Sequence, residues 1–123
     1  MRLVEGGKTM VNQPTEHAEQ VAFAQWLDMK GYDFWHTPNQ TYTKSWNQKR
    51  INKALGVKSG IPDLFVITKS GLVGVEMKRV KGGTVSSTQT EWIKKLNSAG
   101  IPTKVCKGAE QAIEYITSID KES

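Results

Sequence analysis

Apolar residues recur along this chain with two different periods, and the switches between them mark out the elements. Between Glu16 and Lys30 a broad apolar face of Val21, Ala22, Phe23, Ala24, Trp26 and Leu27 predicts a helix, with Thr15 as its N-cap and Gly31 as its stop. Tyr32 to Thr37 reads as a short strand closed by Pro38-Asn39, and Trp46 to Leu55 as a short basic helix with Gly56 just beyond it. Two β-rich runs, Asp63 to Ile67 and Leu72 to Lys78, flank Thr68-Lys69-Ser70-Gly71 and predict a hairpin. Val80 to Val85, containing Gly82-Gly83, is a loop. Trp92, Ile93 and Leu96 place a helix over Ser86 to Ala99, ended by Gly100. Thr103 to Cys106 follows as a strand and Ala109 to Ile119 as a last amphipathic helix. The order α-β-(α)-β-β-α-β-α predicts a mixed α/β domain with one crossover connection and no internal repeats.

Composition narrows what such a domain can be. With 123 residues there is room for one domain, 15–123, behind an aperiodic N-terminal stretch, 1–14, expected to be a mobile arm. A charged fraction of 24% and a mean hydropathy of −0.48 argue for a soluble protein. No run approaches the roughly 20 apolar residues of a membrane span, and Met1 to Pro14 lacks a signal-peptide core, so a cytoplasmic location is expected. One cysteine allows no internal disulfide, and one Cys with two His rules out a zinc site built from such ligands. Any metal should therefore be held by oxygen.

Lysine and arginine outnumber the acids 17 to 12, for a net charge of +5 and a pI near 9.4, which is compatible with a polyanionic partner. Much of that charge lies between Gln40 and Ser59, where Lys44, Lys49, Arg50, Lys53 and Lys58 stand among Tyr42 and Trp46. Two readings are open. The segment is either a solvated connector, or a nucleic-acid contact surface with cations on phosphates and aromatic rings available for stacking.

The hairpin carries the candidate chemistry. With Lys69-Ser70 at the tip, paired residues have numbers summing to 139, so Ile67 faces Leu72, Phe65 faces Gly74 and Asp63 faces Glu76. Opposed residues share a sheet face with Cβ atoms about 4.5–5.5 Å apart. Two carboxylates would then project side by side, with Lys78 on the same face and Val73, Val75 and Met77 on the other. Such a pair repels and needs compensation: a shared proton, Lys78 alone, or a bridging divalent cation. The cation accounts for the whole arrangement best, and oxygen ligands on a rigid hairpin suit Mg²⁺, with Mn²⁺ as a substitute. The plainer alternative is that Asp63 follows Pro62 in a turn and that Glu76 and Lys78 line a solvated strand face.

Other chemistry-bearing residues read as structural. His17 and His36 have no spaced partner, Cys106 falls in an apolar strand, and Trp26, Trp92 and Trp35 are expected to pack.

At these residues the chain resembles the VRR-type nucleases of the PD-(D/E)xK superfamily. Gly60-Ile61-Pro62-Asp63-Leu64 resembles the family's GxPDL element, Val75-Glu76-Met77-Lys78 its ExK strand, and Ser86 to Trp92 its SxxQxxW helix start. Glu16 to Gln20 is similar to the family's ExxxQ motif, and Pro38-Asn39 to a frequent PN pair. The resemblance runs from about Thr15 to Ile119. It implies a restriction-endonuclease-like fold, a mixed central sheet flanked by helices, and metal-dependent phosphodiester hydrolysis. By matching positions it implies that Asp63 and Glu76 are metal ligands, Lys78 the catalytic lysine and Gln89 an active-site helper. Glu16 is the expected first-helix acid and ligand, with Glu19 as its substitute. Short stand-alone members resemble phage Holliday-junction resolvases, which implies branched DNA as substrate and a homodimer. A less selective nicking or repair nuclease, and a DNA-binding module without catalysis, are the alternatives.

Overall fold

The structure, a computed structural model, describes residues 13–38 and 44–121. Its elements follow the apolar pattern closely: α1 (Glu16–Lys30), β1 (Asp33–His36), α2 (Trp46–Leu55), β2 (Leu64–Thr68), β3 (Gly71–Lys78), α3 (Ser87–Ser98), β4 (Thr103–Lys107) and α4 (Ala109–Lys121). Local chemistry sets the helix ends. Thr15, Ser45 and Ser86 each accept the backbone N–H three residues on, and Gly31 and Gly56 close α1 and α2. Residues 1–12 of the expected arm lie outside the described residues, as do Asn39 and Tyr42. At Gln13, the first described residue, the side-chain amide bonds both main-chain groups of Lys81.

Four strands form one mixed sheet in the order β1-β2-β3-β4. The β2–β3 hairpin has the anticipated register, with Ile67 opposite Leu72 and Phe65 opposite Gly74. β1 adds antiparallel to β2, and β4 adds parallel to β3 through the α3 crossover. Asn97 ties the end of that crossover to the sheet, because its side chain both donates to the Thr103 carbonyl and accepts the Thr103 N–H.

One face of the sheet carries the core. Leu64, Val66, Val73, Val75, Met77 and Cys106 meet Phe23 and Leu27 of α1 and Ala109, Ala112 and Ile116 of α4, all buried. Burying a side chain of this size contributes about 1.5–3 kcal/mol, so this face holds the domain together. Cys106 is core, as expected. α1 shows a narrower buried stripe than its composition promised, since Val21 and Ala22 are exposed and only Phe23 and Leu27 are fully covered. A helix resting on a flat sheet buries one stripe, and the remaining apolar positions wrap past it. Trp26 packs as expected, between Phe23 and Tyr32.

The other face is covered unequally. α3 lies over β4, whereas Trp35 on edge strand β1 is 46% exposed and stacks on Phe65, which corrects the expectation of a buried Trp35. Trp35 belongs to the face opposite the core, and no periodicity in a four-residue strand tells the two faces apart. This second face is where the polar residues of β3 emerge.

Candidate active site

Alternation along β3 sends Val75 and Met77 into the core and Glu76 and Lys78 to the opposite face. Even there Glu76 is 1% exposed, and Asp63 and Lys78 are 8% exposed. The solvated-face alternative is therefore ruled out by burial. Asp63 sits one residue before β2 begins, so the ladder ends a rung earlier than the sequence suggested. Its carboxylate takes that rung instead: Asp63 Oδ2 accepts the Met77 N–H at 2.8 Å. Its carbonyl accepts the Thr37 N–H at 2.7 Å, and His36 Nδ1 lies 2.9 Å from the same oxygen. The Gln20 amide is 2.9 Å from that ring nitrogen. Asp63 is thus clamped by β1 on one side and β3 on the other.

The two carboxyls share a small, largely dry space. Burial first, and then the neighbouring Asp63 charge, push the Glu76 carboxyl up from 4.5 to about 8; Lys78 pulls it down, whereas carboxyl-to-carboxyl hydrogen bonding with Asp63 and, last, the Glu16 charge push it further up. Lys78 Nζ stands 3.6 Å from Glu76 Oε2, and Gln89 Nε2 donates to that same oxygen at 2.9 Å. Glu76 Oε1 is buried with no hydrogen-bond partner. A buried acceptor of this kind is costly unless a proton or a cation satisfies it.

Two glycines make the enclosure possible. A Cβ on Gly60 would come within 2.7 Å of the Thr88 side chain and 3.1 Å of the Gln89 nitrogen, and Gly60 has φ +83. Only glycine therefore lets the start of α3 close over the carboxylates. A Cβ on Gly83 would meet the Lys78 Cβ at 3.2 Å, so the loop lies directly on the lysine stem at Gly83.

The two candidate first-helix acids have different surroundings. Glu19 is occupied, its Oε1 accepting the Ala109 N–H at 2.9 Å, where it caps α4. Glu16, exposed at the head of α1, acts on Glu76 through its charge. It does not join Asp63 and Glu76 in a tight group, since among the described residues no three acidic, His or Cys side chains cluster as a complete metal cage. An orphaned carboxylate oxygen beside a second carboxylate nevertheless fits a hard cation that keeps several of its waters, as Mg²⁺ does.

The basic segment stands apart from this centre. α2 buries none of its residues, and Lys49, Arg50 and Lys53 share one side of it with Trp46, which is 79% exposed. Lys49 Nζ lies 5.2 Å from the Trp46 ring centre. Lys44 and Lys58 flank the helix, both exposed. Sequence reasoning missed the clamp on Asp63 and the Glu19 cap, because both join segments far apart in the chain. Ser86-x-x-Gln89, by contrast, is a capping-box signature visible in the sequence itself.

Among the described residues no helix is long and apolar enough to cross a membrane. No curated protein sequence matches the chain. A solved structure described as a VRR_NUC domain protein superposes with a TM-score of 0.76 at 22% identity, covering 91% of this chain and 93% of its own. That likeness establishes the fold, and the order and sheet observed here agree with it. The VRR-NUC domain family matches residues 14–110, which include Asp63, Glu76, Lys78 and Gln89. This chain belongs to the VRR-NUC family, a branch of the restriction-endonuclease-like superfamily, and its function is that of a nuclease.

Proposed function

We propose that the protein is a divalent-cation-dependent endodeoxyribonuclease that cuts branched DNA as a homodimer, in the manner of a Holliday-junction resolvase. The observation that carries the cation-dependent part is the buried Asp63–Glu76 pair, in which Glu76 Oε2 lies 3.6 Å from Lys78 Nζ while Oε1 is left unsatisfied. Asp63 and Glu76 would hold Mg²⁺, with Mn²⁺ as a substitute, and Glu16 would add its charge from the head of α1. When bound, the cation supplies Lewis-acid polarisation of the phosphodiester and acidifies a bound water.

The protein's own groups supply the rest. Lys78 brings a fixed positive charge to the place where phosphate charge builds up. Gln89 holds one oxygen of Glu76, and the clamp from His36 and Thr37 holds the main chain of Asp63. Lys44, Lys49, Arg50, Lys53 and Lys58 would contact phosphates, with Trp46 available to stack on an unpaired base. Symmetric cuts across a junction require two related sites, which a two-fold homodimer provides.

A substrate panel tests the reading. Linear, flapped, forked and four-way DNA are incubated with protein in Mg²⁺, Mn²⁺ or EDTA, and sedimentation gives the oligomeric state. Metal-dependent cleavage of the four-way substrate by a dimer is expected. Full activity in EDTA, or in Asp63→Ala, would overturn the mechanism. Equal cleavage of all substrates would replace the resolvase assignment with a less selective nicking or repair nuclease. Binding without cleavage under every metal would make the protein a DNA-binding module.

A further inference from the structure

A single side chain, Gln89, is used at both ends, and its two uses are of different kinds. Its Oε1 accepts the Ser86 N–H at 2.9 Å, and Ser86 Oγ accepts the Gln89 N–H at 3.1 Å, which is the capping box of α3. Its Nε2 donates to Glu76 Oε2 at 2.9 Å. An amide can ordinarily be turned over with little change in shape. Here it cannot, because a backbone N–H only donates and must face the amide oxygen. The NH₂ end is therefore committed to the carboxylate. Glu76 Oε2 receives Gln89 Nε2 and lies near Lys78 Nζ, whereas Oε1 receives nothing.

We propose that the capping box of α3 is a positioning device for the active site: the Ser86 N–H locks the Gln89 amide so that it engages one oxygen of Glu76 and leaves the other for a divalent cation. Ser86 and Gln89 are thus positioning residues, neither touching the reacting atoms. The helix cap and the site's alignment become one event, set when α3 closes over Gly60. The inference rests on the cation-binding reading above.

Ser86 allows a clean test. At φ −73 its backbone suits proline, so Ser86→Pro removes the N–H that orients the amide, whereas Ser86→Ala removes only the hydroxyl half of the cap. Gln89→Leu removes the amide itself. Mn²⁺ affinity of metal-free protein is measured by calorimetry, with kcat and KM on a cleaved DNA substrate measured alongside. Loss of a group that orients a metal ligand weakens metal binding by about 10–100-fold. Ser86→Pro and Gln89→Leu should both show that loss, with kcat falling and KM for DNA unchanged, while Ser86→Ala should bind Mn²⁺ within about twofold of the parent. Equal Mn²⁺ affinity in Gln89→Leu and the parent overturns the proposal, even if Ser86→Pro fails to fold. So does equal affinity in Ser86→Pro and Ser86→Ala. A parent protein that binds no Mn²⁺ overturns instead the cation reading on which the proposal stands.

Discussion

The carboxylate centre and helix α2 are opposite solutions to handling charge. At the centre, Asp63, Glu76 and Lys78 are nearly excluded from water, and their main-chain and side-chain neighbours hold them in place. In α2 every residue escapes full burial, the cations are solvated, and the helix is sustained by its Ser45 cap and local side-chain bonds such as Gln48 to Asn52. A dry site makes each charge strong and each error costly, which suits bond chemistry. A wet helix makes each charge weak but additive, which suits a grip on phosphates that must also let go. On the proposed function, one chain would separate the work of cutting from the work of holding.

If that separation is real, damage to the centre and damage to the helix should look different. The largest effect is expected from Glu76→Gln, which should lower cleavage by at least about a hundredfold. Because an amide cannot ionise beside Asp63, the same change should raise the melting temperature of the metal-free protein as pH approaches 8, where the Glu76 carboxyl would become charged. A stable but inactive variant confirms that the centre is strained for function; a variant both inactive and destabilised would mean that Glu76 is chiefly structural. Gly60→Ala should come next. Its left-handed backbone and the contact with Thr88 predict a loss of about 1–3 kcal/mol in stability together with impaired cleavage, read by denaturant melts and a kinetic assay.

Replacing Lys49, Arg50 and Lys53 together by Gln should leave both melting temperature and kcat at saturating DNA close to those of the parent. The salt dependence of binding should change, its slope falling by about 0.9 for each phosphate of duplex DNA that is no longer neutralised. An unchanged slope would return α2 to the role of a connector. A further expected effect is one of pH. The Glu76 carboxyl is raised from 4.5 to about 8 in the folded protein, so the folded state holds this proton more tightly than the unfolded chain. The stability it contributes is complete below about 4.5 and is lost as pH rises toward 8. Metal-free protein should therefore melt progressively lower across that window, and Mg²⁺ should remove the slope by taking the proton's place. A flat profile without metal would show that the carboxyls do not compete for charge.

Much of the fold was legible in the order of residues. Helix bounds came through because caps are local: Thr15, Gly31 and Gly56 each act within about four residues of where they stand. Hairpin register came through because a four-residue loop leaves a single pairing that agrees with strand alternation. Trp35 was misplaced for the opposite reason, since an edge strand of four residues carries too few positions to show which face the helices will choose. Glu16 was preferred to Glu19 on motif spacing alone, and the part Glu19 plays in capping α4 could be seen only once α4 lay beside it.

The identity of the charged groups, their spacing of two along β3 and their pairing across the hairpin belong to the sequence, because backbone geometry converts spacing into a shared face without help from the rest of the chain. The sequence also determined the cap that starts α3. Tertiary structure alone decided that the face would be dry, that Gly60 would admit α3, and that the capping Gln89 would land on Glu76. Burial and orientation are properties of what packs opposite a residue, and the packing partners here lie more than ten positions away along the chain.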